Sequence, residues 1–147
     1  DKVIQIDGKS VTVDYVELGN PGIPHLVVHV ADLAMTELET ILDFARKLRN
    51  HPAFEKGANV NFYDLLSDQT VVERTYERGV EDFTLACGTG TGSTAYALTK
   101  KGLVKSDPVV IEVLGGQLQV NVVENDLYLI GDTNMVVKGT IFDEDLA

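Results

Sequence analysis

The chain has 147 residues, 44% of them hydrophobic, with 23 acidic against 12 basic side chains and a net charge of −11. That length and apolar fraction suit one globular domain with a real core, and exclude a disordered chain or two domains of ordinary size. The acidic balance argues against nucleic acid or an anionic membrane surface as a partner, because both reward clustered Lys and Arg.

The apolar runs all fall short of the roughly 20 residues a membrane-spanning helix needs, and no signal peptide opens the chain. The single cysteine, Cys87, cannot form an internal disulfide, which points to a reducing, cytoplasmic setting.

In chain order, Val3–Ile6 and Ser10–Val16 read as two strands around Asp7-Gly8-Lys9, a hairpin signal. Leu26–Val30 is a short apolar run of the buried-strand type. The spacing of Leu38, Ile41, Leu42, Ala45 and Leu48 predicts an amphipathic helix over Glu37–Arg49, with Thr36 as N-cap and Glu39 completing a capping box. Asn59–Leu66 and Thr70–Tyr76 alternate as strands around Ser67-Asp68-Gln69.

A glycine-rich turn then carries Cys87 into a second helix over Ser93–Lys101, rich in small residues and closed by Lys100, Lys101 and Gly102. Small residues predict a helix enclosed by sheet. Val109–Leu114, Leu118–Val123, Leu127–Ile130 and Val136–Phe142 are expected as further strands. The fold class is α+β: a single domain, residues 1–147, with a mixed or antiparallel sheet wrapped around a small-residue helix, plus one amphipathic surface helix.

Cys87 reads two ways by position alone. A lone cysteine is usually a small buried hydrophobe. A thiol at a helix start, beside exposed amides that favour negative charge, is instead readily ionised and close to an anion site. Nucleotide cradles do not fit. No lysine follows Gly92 as the Walker pattern requires, and Gly88, Gly90 and Gly92 lack the dinucleotide spacing. No histidine–carboxylate cluster has metal-ligand spacing, so no metal is expected.

Several motifs in order resemble the C-terminal half of diaminopimelate epimerase and related cofactor-independent amino-acid racemases. They are Gly19-Asn20-Pro21 with His25 displaced, His51-Pro52-Ala53-Phe54 leading to Gly57-Ala58-Asn59-Val60, Arg74-Thr75-Tyr76-Glu77-Arg78-Gly79, and Leu85-Ala86-Cys87-Gly88-Thr89-Gly90. The resemblance implies the fold of that family and a two-cysteine inversion of an α-carbon, one thiol taking the proton and the other returning it. No cofactor, pyridoxal phosphate included, is required.

It implies Cys87 as one thiol and Gly88 and Thr89 as carboxylate-binding amides. Glu77 and Arg78 would grip the distal ammonium and carboxylate, and Asn20 and Asn59 would hydrogen-bond the substrate. The implied substrate is diaminopimelate, an intermediate of lysine and cell-wall biosynthesis. Another polar amino acid such as histidine stays open, as does a non-catalytic ligand-binding module on the same fold.

Three departures bear on substrate: the inserted Gly22-Ile23-Pro24, expected to lengthen the loop beside Asn20, Phe83 in place of a carboxylate close to Cys87, and Gly131-Asp132-Thr133 where relatives commonly have Gly-Pro-Ala. The family's first cysteine motif is absent. The implied partner is therefore an N-terminal half of the same enzyme; a homodimer stays open. Alone, the chain is expected to fold without catalysing.

Overall fold

The computed structural model describes residues 1–105 and 108–142. Strands β1 (Lys2–Ile6) and β2 (Lys9–Leu18) form the expected hairpin, with Asp7 and Gly8 both at positive φ as its two-residue turn demands. Strand β3 (Ile23–His29) follows, then a short 3-10 turn, helix α1 (Leu38–Arg49), β4 (Asn59–Leu65), β5 (Thr70–Glu77) and the two-residue β6 (Asp82–Phe83). Helix α2 (Gly88–Lys100) precedes β7 (Val109–Val113), β8 (Gly116–Val123) and β9 (Asp126–Ile130).

The sheet runs β1-β2-β3-β4-β5-β7-β8-β9, with β6 paired to β5. The β3/β4 and β5/β7 pairs are parallel and the others antiparallel. Helix α2 packs on β2, β3 and β4 and also on β7, β8 and β9, so the sheet curls around it. Small side chains line much of the enclosed helix: Gly90, Gly92, Ser93, Ala95 and Ala97 are all buried. Gly92 lies between Leu18 and Leu127, where a β-carbon would stand 3.3 Å from each.

Alternation along the strands builds two cores, one on each face of the sheet. Leu26, Val28, Val60, Phe62, Val72 and Tyr76 face α1 with Ala45 and Leu48. Val27, Tyr63, Val71, Ile111 and Val120 face α2 with Ala95 and Leu98.

Four expectations are corrected. Thr36 does not cap α1: Glu37 occupies the N-cap, and the Thr36 hydroxyl instead donates to the Asp32 carbonyl and closes the 3-10 turn. The glycine-rich segment is no turn: Gly88–Gly92 is the start of α2, because enclosure by strands rewards residues without bulk more than helix propensity penalises them. Val136–Phe142 forms no strand among the described residues. Met135, Val136, Val137 and Ile141 are exposed there, and an alternating segment without a neighbouring strand has nothing to pair with or pack against. Finally, Phe83 does not line the cysteine site. It packs on Phe62 and edge-on to Tyr76, in the core on the α1 side.

Candidate active site

Cys87 is the N-cap of α2, in extended conformation, and the first bond of the helix runs from the Thr91 amide to the Cys87 carbonyl at 2.8 Å. The amides of Gly88, Thr89 and Gly90 therefore precede any intrahelical acceptor. Gly88 is exposed and Thr89 half-buried, so two of these donors stand at a surface that carries the positive end of the helix dipole. Exposed Leu85 and Leu129 border this surface, Leu129 so closely that a β-carbon on Gly88 would stand 3.1 Å from it.

Behind the thiol lies a polar chain that crosses three strands. The Thr75 hydroxyl donates to Asn61 Oδ1 at 3.0 Å, and Asn61 Nδ2 faces His25 Nδ1 at 3.1 Å. His25 Nε2 lies 3.1 Å from the Thr89 hydroxyl, which is 3.7 Å from Cys87 Sγ. Asn61 Nδ2 can only donate, so Nδ1 of a neutral His25 accepts and Nε2 carries the hydrogen toward Thr89. Thr89, having accepted from His25, has its own hydrogen free for the sulfur.

His25, Asn61 and Thr75 are all buried. Burial pushes the His25 pKa down to about 4, the Arg78 charge adding to the shift, so the ring is neutral near pH 7. The packing is close: a β-carbon on Gly90 would stand 2.3 Å from Asn61 Oδ1.

The thiol itself corrects an expectation. A helix start should lower its pKa, but burial outweighs the Thr89 hydroxyl and the Gly90 amide, and the Glu77 and Glu73 charges oppose ionisation further. The Cys87 pKa in this chain is raised.

Glu77 ends β5 and Arg78 follows it, both half-buried. Their segment is pinned from three sides. Asn59 Oδ1 accepts from the Arg78 amide at 2.7 Å, the Arg78 guanidinium donates to the Lys56 carbonyl at 2.9 Å, and Arg49 reaches from α1 to Glu81 at 2.8 Å. Glu81 in turn accepts from the Gly79 amide. Asn59 is buried and thus braces the segment that carries the two charges. Asn20 is exposed, on the turn between β2 and β3.

The structure therefore brings Cys87, Gly88 and Thr89 to one point, with the Glu77 charge acting on the thiol and the Arg78 charge on His25 behind it. It adds His25, Asn61, Thr75 and Glu73, which motif reading did not assign. Their signal was a polar residue among the inward positions of strands whose other inward residues, such as Val27 and Val71, are apolar. A concavity of about 500 Å³ between the β1–β2 hairpin and α1 shares no residue with this cluster. Among the described residues no group of three or more His, Cys, Asp or Glu converges as for a metal, and no helix is long and apolar enough to cross a membrane.

A sheet curled around a small-residue helix that presents a thiol at its N-terminus defines the class: an epimerase-type fold. A solved hydroxyproline epimerase from Agrobacterium vitis superposes with a TM-score of 0.61 at 20% identity, covering 88% of this chain and 44% of that one. A Bacillus anthracis phenazine biosynthesis protein of the PhzF family gives 0.57 at 24% identity, over 82% of this chain and 40% of its own.

Residues 18–136 match the family model of diaminopimelate epimerase. The chain is 38% identical to the diaminopimelate epimerase of Aquifex aeolicus over 99% of its length and 52% of that protein's. It is also 38% identical to that of Archaeoglobus fulgidus, over 83% of this chain and 41% of the relative. This chain belongs to the diaminopimelate epimerase family. It spans about half the length of the curated relatives it matches.

Proposed function

We propose that this chain is the C-terminal domain of a two-base amino-acid epimerase and that Cys87 is one of its two acid–base thiols. The observation that carries the reading is the joint placement of the thiol and the free Gly88 and Thr89 amides at one helix start. A substrate α-carboxylate held by those amides would present its α-carbon to Sγ. One thiolate takes the α-proton and the second thiol delivers a proton to the opposite face, which inverts the centre with no net change in atoms or charge.

A carboxylate at the helix start brings no cation to the thiol. The rise in Cys87 pKa therefore suits the role of proton donor, its partner thiolate removing the proton in that direction and the roles reversing in the other.

Glu77 and Arg78 are assigned to the distal ammonium and carboxylate, arginine offering a planar fork that matches a carboxylate. Diaminopimelate is the substrate this pairing fits best. Asn59 contributes by holding the Arg78 backbone, and Asn20 by lining the entrance from its turn. Histidine or another polar amino acid is the alternative substrate; the inserted Gly22-Ile23-Pro24, whose Ile23 and Pro24 extend β3 rather than lengthen the loop, is the departure that bears on it. A mere ligand-binding module has no use for the buried relay behind the thiol.

The second thiol comes from an N-terminal half. The exposed apolar residues beside Cys87, Leu85 and Leu129 among them, supply a surface for it. The test is made in the complete enzyme, with Arg78→Lys assayed on amino acids with and without a distal carboxylate. The variant is expected to lose about one to two decades of apparent affinity for the dicarboxylic substrate alone. Equal effects on both substrate kinds would contradict the assignment.

A further inference from the structure

Glu73 is a buried carboxyl for which the reaction outlined above has no role. It is fully inaccessible on the inward face of β5, where its neighbours along the strand are Val71 and Thr75. Both of its oxygens are used by α2: Oε2 accepts from the Thr91 hydroxyl at 2.8 Å and Oε1 from the Thr94 hydroxyl at 2.5 Å. Thr91 is also the residue whose amide closes the first turn on the Cys87 carbonyl. Carboxyl, helix turn and thiol are thus linked through one threonine.

Among the described residues, the charged and titratable groups around Glu73 are Arg74 beside it on β5, Tyr63 paired with it across β4, Glu112 of β7 next to Arg74, and Cys87 from α2; the thiol also faces Glu77, whose charge opposes its ionisation, and His25 through Thr89. The Arg74 guanidinium is engaged with the carbonyls of Glu73 and Glu112, so it does not form an ion pair with the Glu73 carboxyl.

We propose that Glu73 is a positioning residue for Cys87, a buried proton-holding group braced against α2 through Thr91 and Thr94, whose charge state tunes how readily the thiol at the head of that helix ionises. The geometry supplies the means. A carboxylate held by hydroxyls of the second turn sits under the helix start that carries the thiol, with low-dielectric packing between them. Protonated, it exerts no field on the sulfur; ionised, it opposes a second negative charge close by.

Burial raises the Glu73 pKa to about 7, against the pull of Thr94, Thr91 and Arg74, so the group changes charge within the working range of an ordinary enzyme. Its charge acts on the thiol in the upward direction. The catalytic consequence rests on the acid–base role proposed for Cys87: below neutrality the thiol ionises more easily, and above it Cys87 is held as a proton donor.

The single cysteine makes the test direct. The rate of iodoacetamide alkylation of this chain is followed from pH 5 to 10 in the wild type and in Glu73→Gln. The glutamine keeps the size; its oxygen accepts from one threonine and its amide group donates to the hydroxyl oxygen of the other. The variant is expected to titrate lower by about half to one pH unit, a three- to tenfold gain in alkylation at pH 8. A purely structural Glu73 would alter stability and leave the thiol titration in place, and that result overturns the proposal.

Should Glu73→Gln fail to fold, the wild type decides alone. Carbon NMR of the labelled Glu73 carboxyl gives its midpoint, and the alkylation profile must bend at that same pH. A profile with no bend there overturns the coupling. Because the readout is the thiol and not turnover, failure here leaves the epimerase reading standing, and loss of that reading leaves the coupling measurable.

Discussion

Gly90→Ala probes the packing of the site most sharply. Gly90 lies in the first turn of α2, where alanine in place of glycine ordinarily gains about 1 kcal/mol. Here the added β-carbon would stand 2.3 Å from Asn61 Oδ1 and 3.3 Å from the Cys87 β-carbon. Asn61 cannot step aside freely, because that oxygen accepts from Thr75 while its amide holds His25 and the Leu26 carbonyl. Overpacking of this kind costs about 1–3 kcal/mol. A buried Thr75 hydroxyl deprived of its acceptor adds about 1–3 kcal/mol.

Set against the helix gain, the variant should lose about 1–5 kcal/mol in urea unfolding at pH 7. The same substitution made in an Asn61→Ala background meets no oxygen and should be neutral or stabilising, a coupling that a double-mutant cycle isolates. Gly90→Ala that stabilises the wild-type chain like any exposed helix glycine would refute the packing argument and the relay built on it.

Three further outcomes follow from the same geometry. The folded Glu73 carboxyl titrates near pH 7 against an ordinary 4.5, so its stabilising contribution is full below pH 4.5 and is lost as pH rises through about 7. Glu73→Gln should therefore gain on the wild type by up to about 3 kcal/mol between pH 5 and 8 in urea titrations, whereas a pH-independent difference would contradict the burial argument. His25, depressed to about 4, should remain neutral with the hydrogen on Nε2 at pH 5.5 by nitrogen NMR; an imidazolium there would show that its pocket is wet. Gly57→Ala would place a β-carbon 2.0 Å from the Arg49 guanidinium at a φ of +61°, so it should cost about 2 kcal/mol or more and release the Arg49–Glu81 pair, with unchanged thermal unfolding as the contrary result.

What the sequence made legible was whatever depends on local pattern. The Asp7-Gly8 hairpin, the α1 stripe and the Gly102 stop of α2 are each written within a few neighbouring residues, and all three are present. The enclosure of α2 was legible from its small side chains. Less visible was that Gly88–Gly92 is helical, because glycine reads as turn until the strands on several sides are in place. Val136–Phe142 alternates as a strand does, yet pairing is not a local property.

The site divides the same way. Cys87, Gly88, Thr89, Glu77 and Arg78 lie in contiguous motifs. His25, Asn61 and Thr75 come together only because β3, β4 and β5 pair side by side, in a register that sets His25 beside Asn59 and Asn61 beside Thr75. The upward shift of the thiol likewise reflects burial from several elements, which no helix-start argument contains.

The central claim is that Cys87 is one of two thiols that work from opposite faces of an amino-acid α-carbon. It is tested most directly by deuterium incorporation at the α-carbon of diaminopimelate in deuterated water. Three samples are compared: this chain alone, the chain joined to an N-terminal half bearing a cysteine, and the joined protein with Cys87→Ala. The account predicts exchange with inversion in the joined protein alone, none by the isolated chain, and loss of inversion on replacing Cys87 while the fold persists. Full activity in the Cys87→Ala protein, or turnover by the isolated chain, would contradict it.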